Sequence, residues 1–155
     1  MSVRFAAESE LERVNELRKQ VNDVHVAGKP EVFKGGFCDE LKNYIYAIWN
    51  DPNQNIVVAE RDGTICGFAV LNHIVKPETP FMHERDFPDI DEFCVDETCR
   101  RAGVATEMVA FIKDWAKRQG YKRIELNMWE FNKGAPAFYE AMGFSTYRRY
   151  MEMNI

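Results

Sequence analysis

The segment Val95-Asp96-Glu97-Thr98-Cys99-Arg100-Arg101-Ala102-Gly103-Val104-Ala105 has the residue types and the order of an anion site. An apolar stretch ends there in a charged loop, and helical apolar spacing begins at Val104. The first turn of a helix carries backbone N–H groups without intrahelical partners, and the aligned peptide dipoles add partial positive charge, so a phosphate is favoured at that end. Gly103 and Ala105 leave room for close approach to the backbone, while Arg100 and Arg101 bring full charge. The same residues would also make an ordinary helix start with surface arginines. Neither a G-x-x-x-x-G-K-[ST] loop nor a G-x-G-x-x-G fingerprint occurs, which removes the P-loop and the dinucleotide-binding turn.

A second group follows: Asn132, Ala135, the run Phe138-Tyr139-Glu140, then Gly143-Phe144. With both groups in this order the chain resembles the GNAT superfamily of N-acetyltransferases. That family's acetyl-CoA loop reads Arg/Gln-x-x-Gly-x-Gly/Ala, matched by Arg100, Gly103 and Ala105, and its second motif is matched by the set from Asn132 to Phe144. The resemblance implies direct transfer of acetyl from acetyl-CoA to an amine, through a tetrahedral intermediate in a ternary complex, with no metal. It implies that the strand at Phe93-Cys94-Val95 splays from its neighbour at a bulge. Backbone groups are then free for the pantetheine arm, and an N–H near Val95 polarises the thioester carbonyl. The amides of Arg101, Ala102, Gly103, Val104, Ala105 and Thr106 would hold the pyrophosphate, with Arg100 and Arg101 near phosphate or the adenosine end. Asn132 would bond the pantetheine, and Ala135 and Phe138 would lie along the cofactor. Tyr139 matches the position whose hydroxyl protonates the leaving thiolate. Cys94 reads as a small packing residue rather than an acyl carrier, because the family transfers acetyl directly.

An alkylammonium has a pKa of about 10 or above and no lone pair, so the acceptor must lose a proton before it attacks. Glu92 is the expected base, with a water chain as the other route. Strict alternation along Asp89-Ile90-Asp91-Glu92 puts Glu92 on the face of Ile90 and Cys94, an odd place for a charge. Asn127 occupies the position where the branch that acetylates protein N-termini often has a Glu base, and an amide cannot take that proton. A small cationic amine is therefore preferred over a ribosomal-protein or peptide acceptor. A non-catalytic acetyl-CoA-binding regulatory module is the remaining alternative. The acceptor side is expected between His25 and Phe37 and between His73 and Pro88. There Phe33, Phe37, Phe81 and Phe87 would form an aromatic wall, and Asp86, Asp89, Asp91 and Glu92 would attract a cation, one of them poised as base. His25, His73 and His83 read as solvated loop residues.

Periodicity supplies the scaffold for these groups. Val3 to Ala7 reads as a strand, and Ser9-Glu10-Leu11-Glu12 as a capping box that opens a helix with Leu11, Val14, Leu17, Val21 and Val24 on one face. Gly28-Lys29-Pro30 stops it, and Asp39 opens a second helix carrying Leu41, Tyr44, Ile45, Ile48 and Trp49. Ile56 to Ala59 and Ile65 to Leu71 flank Arg61-Asp62-Gly63 and make a hairpin. A polar excursion from Lys76 to Asp89 leads to a strand at Ile90 to Val95. A helix at Gly103 to Gln119, a strand at Arg123 to Trp129, a short helix at Gly134 to Met142 and a closing strand at Thr146 to Met153 complete the chain. The order β-α-α-β-β-β-α-β-α-β predicts one mixed α/β (α+β) domain over residues 1–155. By resemblance this is the GNAT acyl-CoA N-acyltransferase fold, a central, mostly antiparallel mixed sheet flanked by helices.

A chain of 155 residues with 46% apolar content has material for one core. Twenty Lys plus Arg against 25 Asp plus Glu give a net charge of −5, which argues against a nucleic-acid partner. No run of about 18 apolar residues occurs, and the N-terminus turns acidic too soon for a signal peptide, so no membrane partner and a cytoplasmic setting are expected. Cys38, Cys66, Cys94 and Cys99 show no C-x-x-C pair and no His at zinc spacing, and read as core thiols. The closing strand, with Arg148 and Arg149 between Tyr147 and Met153, offers an edge on which a second copy could pair as a homodimer.

Overall fold

Leu11, Val14 and Leu17 fall on one helical stripe and are wholly withdrawn from solvent. Their helix, α1 (Leu11–Gly28), lies beside α2 (Asp39–Asn50), whose Ile45 and Ile48 face the same core. A computed structural model describes all residues from 1 to 155. Its sheet is built from β1 (Ser2–Phe5), β2 (Gln54–Arg61), β3 (Thr64–Lys76), β4 (Arg85–Val95) and β5 (Glu125–Leu126), and α1 and α2 cover one face. On the other face α3 (Val104–Arg118) packs Val104, Met108 and Ile112 against Val57, Ala69, Leu71 and Ile90. A short α4 (Ala135–Ala141) follows β5.

Spatial order follows chain order, β1-β2-β3-β4-β5. Neighbours are antiparallel except β4 and β5, which the α3 crossover makes parallel. The expected mixed α/β architecture with a mostly antiparallel sheet is what the chain adopts. β2 and β3 read as unbroken apolar runs because both faces are covered: Ile56, Val58, Phe68 and Val70 face α1 and α2, while Val57, Ala59, Ala69 and Leu71 face α3.

Several boundaries differ from those expected. β3 reaches Lys76 and β4 starts at Arg85, so Phe87, Pro88 and Asp89 are strand residues rather than part of a polar excursion. Backbone pairing there continues without apolar alternation. β5 keeps only two residues of the expected Arg123 to Trp129. Thr146 to Met153 forms no closing strand, because alternation makes a strand only where a partner edge is presented. That segment is held instead by the Tyr147 hydroxyl, which donates to Glu125 Oε2 at 2.6 Å, and by an ion pair between Lys29 and Glu152. The capping interaction also moves. A 3₁₀ turn at Glu8–Glu10 precedes α1, and Glu10 reaches back to accept the Ala7 N–H at 2.6 Å, while Glu12 accepts the Tyr46 hydroxyl. Cys66 and Cys94 are core thiols as expected, but Cys38 is exposed and Cys99 half-buried. No helix is long and apolar enough to cross a membrane.

At Gly67, β3 and α3 approach closely. A Cβ there would lie 2.8 Å from Met108 Sδ and 3.0 Å from the Cys94 carbonyl oxygen. Gly67→Ala should lower stability by about 1–3 kcal/mol, read as a lower urea midpoint at unchanged slope. An unchanged midpoint would show that α3 packs loosely on the sheet.

Candidate active site

β4 breaks its alternation at one residue. Opposite β3 the register pairs Val70 with Glu92 and Leu71 with Ile90, so Asp91 is an extra residue and forms a β-bulge. Ile90 therefore faces α3, whereas Glu92 and Cys94 face α1. Glu92 shares a face with Cys94 as expected, but not with Ile90, because the bulge resets the period of two. On the outer edge β5 pairs with β4 only at Asp89 and Ile90, after which the two strands part. The Asp96 N–H donates to the Cys66 carbonyl at 2.9 Å, so by period two the amides of Phe93 and Val95 point away from β3, into the gap. Cys94, between them, commits its backbone to Phe68 of β3. Burial pushes its thiol up to about 11, which keeps it protonated and poorly nucleophilic at neutral pH.

The gap ends at the start of α3. Asp96 accepts the Thr98 N–H at 2.9 Å and the Thr98 hydroxyl at 2.7 Å, and is paired to Arg13 of α1. These contacts hold a 3₁₀ turn at Glu97–Cys99. The chain then passes through Arg101 at φ 62° and Gly103 at φ 79°, both in the left-handed region, and Gly103 becomes the N-cap of α3. A non-glycine residue there is uncommon, and two such turns in a short loop aim the following amides outward. The Glu107 N–H is the first to find a helical carbonyl, that of Gly103 at 3.1 Å, which leaves Val104, Ala105 and Thr106 without intrahelical acceptors. Arg100, Arg101, Ala102, Gly103 and Thr106 are exposed around them.

Tyr139 approaches from the α3 side of the sheet. The Phe138 and Tyr139 rings of α4 both meet Phe93, with centroids 6.5 and 6.2 Å away, and Phe144 closes on Tyr139 at 5.6 Å. Burial pushes the Tyr139 phenol up to about 12, so it keeps its proton throughout the physiological range. Asn132 and Ala135 form the turn into α4, the Asn132 carbonyl accepting the Ala135 N–H at 3.2 Å, and the Asn132 side chain is exposed.

Glu92 meets Arg18, a residue that the sequence reading did not single out. The Arg18 side chain is only 5% exposed; its Nε lies 2.9 Å from Glu92 Oε2 and its Nη2 lies 3.1 Å from Oε1. Nη1 donates to the Leu41 carbonyl at 2.6 Å and to Asn15 Oδ1 at 3.2 Å, tying α1, α2 and β4 together. Phe37 and Tyr44 flank the guanidinium at 5.6 and 5.7 Å. The available signal was a charge one helical turn beyond Val14, on an apolar stripe. Both Glu92 oxygens are engaged by Arg18. Asp89, half-buried beside the point where β4 and β5 part, has no such partner. Burial, with Asp91 and Glu125 nearby, pushes its carboxyl up to about 6.

The aromatic wall assembles differently from the expected four phenylalanines. Phe33 stacks on His25 at 4.8 Å and meets Trp129 edge-on at 5.1 Å; Trp129 in turn stacks with Phe131 at 6.0 Å. Phe131 lies against the backbone of Gly28, where any side chain would collide with its ring. His25 is a half-buried residue of α1 rather than a solvated loop residue, and its desolvation in this cluster holds its pKa below the ordinary value. Phe81 is 84% exposed, and Phe87 is buried in the sheet beside Arg85 and Arg123. His73 pairs with Asp86 at 2.6 Å. No group of three or more His, Cys, Asp or Glu side chains is placed to hold a metal ion.

Known proteins resemble this chain to different extents. The profile of the Acetyltransferase (GNAT) family matches residues 18–144. Over 63 residues, 41% of this chain, the sequence is 33% identical to an uncharacterized N-acetyltransferase of Methanocaldococcus jannaschii, and the match spans only 28% of that protein's length. The crystal structure of a tetramutant of the BH1408 protein from Bacillus halodurans matches with a TM-score of 0.94 at 25% identity, covering 100% of both chains. The structure of AAC(6')-Iy in complex with the bisubstrate analog CoA-S-monomethyl-acetylneamine matches with a TM-score of 0.77, covering 99% of this chain and 97% of that one. At 19% identity, that last likeness concerns the fold alone.

Proposed function

The chain belongs to the GNAT acetyltransferase family, and we propose that it moves an acetyl group directly from acetyl-CoA to a primary amine of a small cationic molecule. One observation carries the reading. A gap with unpaired amides on β4 runs to the free helix end of α3, with a protonated phenol on one side of the sheet and carboxylates on the other.

The residues suit the donor. The outward amides of Phe93 and Val95 can continue the sheet with a peptide-like pantetheine arm, flanked by Asn132, Ala135 and Phe138. The amides from Arg101 to Thr106 suit a diphosphate, with Arg100 and Arg101 adding charge. A β4 amide in the gap polarises the thioester carbonyl. As the C–N bond forms and the C–S bond breaks, the Tyr139 hydroxyl donates to the departing sulfur. An ordinary thiol titrates near about 8.5, well below this phenol, so Tyr139 acts first as a hydrogen-bond donor to developing charge and completes transfer as the C–S bond opens. The amine's proton leaves on the α1 side, to a carboxylate of β4 or to a water chain beside it.

The acids on that side favour a cation, and Asn127 leaves no base at the position used for protein N-termini. That the same fold accepts a CoA-linked acetylneamine in one neighbour suits a small polyamino acceptor. Exposed Tyr150, Met151 and Met153 offer apolar surface for a second copy, and a homodimer in the cytoplasm completes the reading.

Thiol release from acetyl-CoA should be measured with spermidine, kanamycin, lysine and a basic peptide. A polyamine or aminoglycoside should be turned over at least tenfold faster than the peptide. Preference for the peptide would replace the small-amine reading. Acetyl-CoA binding by calorimetry with no turnover of any acceptor would replace the enzyme by a regulatory module.

A further inference from the structure

The bulge at Asp91 also brings two β4 carboxylates to one face. Residues three apart in a regular strand point to opposite faces. Here Asp89, opposite Asn72, and Glu92, opposite Val70, both lie on the α1 side, with Ile90 between them turned toward α3. Their surroundings differ. Glu92 is engaged by Arg18 through both oxygens. Asp89 has no ion pair and accepts no hydrogen bond from the protein; its charged neighbours are Asp91 at the bulge and Glu125 on β5. The basic groups on that side are directed to Glu125, with Arg123 at 3.0 Å and Arg85 at 3.9 Å, and Tyr147 donates to it as well. Across on β3, Asn72 is neutral and bonded to Gln54 at 2.5 Å. From α1 come Arg18, already paired, and the half-buried His25, whose pKa desolvation holds below its ordinary value.

Position adds to this contrast. Asp89 and Ile90 are the residues at which β5 leaves β4. With phosphates held at the start of α3, a pantetheine arm running back along β4 from Val95 to Ile90 covers about 16 Å at the rise of an extended strand. That length would bring the thioester to the stretch of β4 that holds the bulge and Asp89.

Resting on the reading above, we propose that Asp89 is the general base of the transfer, taking the acceptor's proton through a water on the α1 side while Glu92, fixed by Arg18, orients the ammonium. One proton of the ammonium passes to the Asp89 carboxylate and later to solvent. The neutral amine attacks, the C–N bond forms and the C–S bond breaks. The sulfur takes the Tyr139 proton, and the second proton released from nitrogen restores Tyr139 through water. A carboxyl near 6 is ionised at pH 7.5 and is a stronger base than an ordinary aspartate.

The test is the pH profile of kcat/KM for wild type, Asp89→Asn, Asp89→Glu and Glu92→Gln with the best acceptor among spermidine, kanamycin and lysine, alongside acetyl-CoA affinity by calorimetry. Wild-type activity should fall as pH drops through about 6, the value of the Asp89 carboxyl. Asp89→Asn should lose about 100-fold and abolish that limb at unchanged acetyl-CoA affinity, and Asp89→Glu should restore it. Because the folded state holds this proton more tightly than the unfolded chain, stability declines as pH rises from the ordinary aspartate range through about 6. Asp89→Asn should therefore raise Tm at pH 7.5 by about 2–4 °C while it lowers activity. A limb near 6 that survives in Asp89→Asn, or one that disappears in Glu92→Gln instead, overturns the role of Asp89 and leaves the acetyltransferase reading intact. A wild type that binds acetyl-CoA but turns over none of the three acceptors overturns both.

Discussion

Tyr139→Phe should lower turnover at least tenfold, with a loss of about 100-fold as the central expectation, while acetyl-CoA affinity stays within about twofold. The substitution removes one oxygen and keeps the ring that packs against Phe93, Phe138 and Phe144, so the wall of the gap is preserved. A thiolate leaving into a site lined by these rings would find little water, and Tyr139 is the proposed donor on that side of β4. Burial holds the phenol near 12, so the wild-type profile should show no descending limb from Tyr139 below about pH 11. Unchanged kcat in the phenylalanine variant, or a limb near 9 that this variant abolishes, would remove Tyr139 from the acid role. Equal losses of affinity and turnover would make it a cofactor-packing residue.

Arg18→Met should destabilise the fold by about 3–5 kcal/mol, equivalent to a fall in Tm of roughly 6–20 °C. Methionine keeps most of the buried volume on the α1 stripe but leaves Glu92 without its partner and removes the side-chain donor to the Leu41 carbonyl. An ionised carboxylate so placed must draw in water or take up a proton, and either loosens the junction of α1, α2 and β4. The double variant Arg18→Met with Glu92→Leu should recover at least half of the loss, because no uncompensated charge remains. A loss below about 1 kcal/mol for the single variant would show that the pair is effectively solvated and that Glu92 is free for other chemistry.

Legibility in the sequence followed range. α1, α2 and α3 were readable because a helix stripe repeats every three or four residues and its ends are marked by Gly28, Asp39 and Gly103. The turn proposed to hold the diphosphate was readable for the same reason, since its amides belong to consecutive residues. Tyr139 was legible by its motif, and the structure sets it against Phe93. Alternation misled at both ends of the chain's last third. β5 shrank to two residues and Thr146 to Met153 remained unpaired, because a strand is completed by a neighbour that alternation does not name.

The acidic side shows the same boundary most sharply. Local order was enough to read the fold class and the helix end that suits phosphate, which depend on neighbours a few residues apart. The sorting of the β4 acids was not local. Asp91 became a bulge because β3 offers one residue opposite two, and Glu92 was neutralised by an arginine 74 positions away. Trp129 and Phe131, not Phe81 and Phe87, joined Phe33 because the chain beyond β5 returns to the end of α1. Register and burial belong to pairs of segments, so which carboxylate is tied down and which is left free is set only when the sheet and α1 come together.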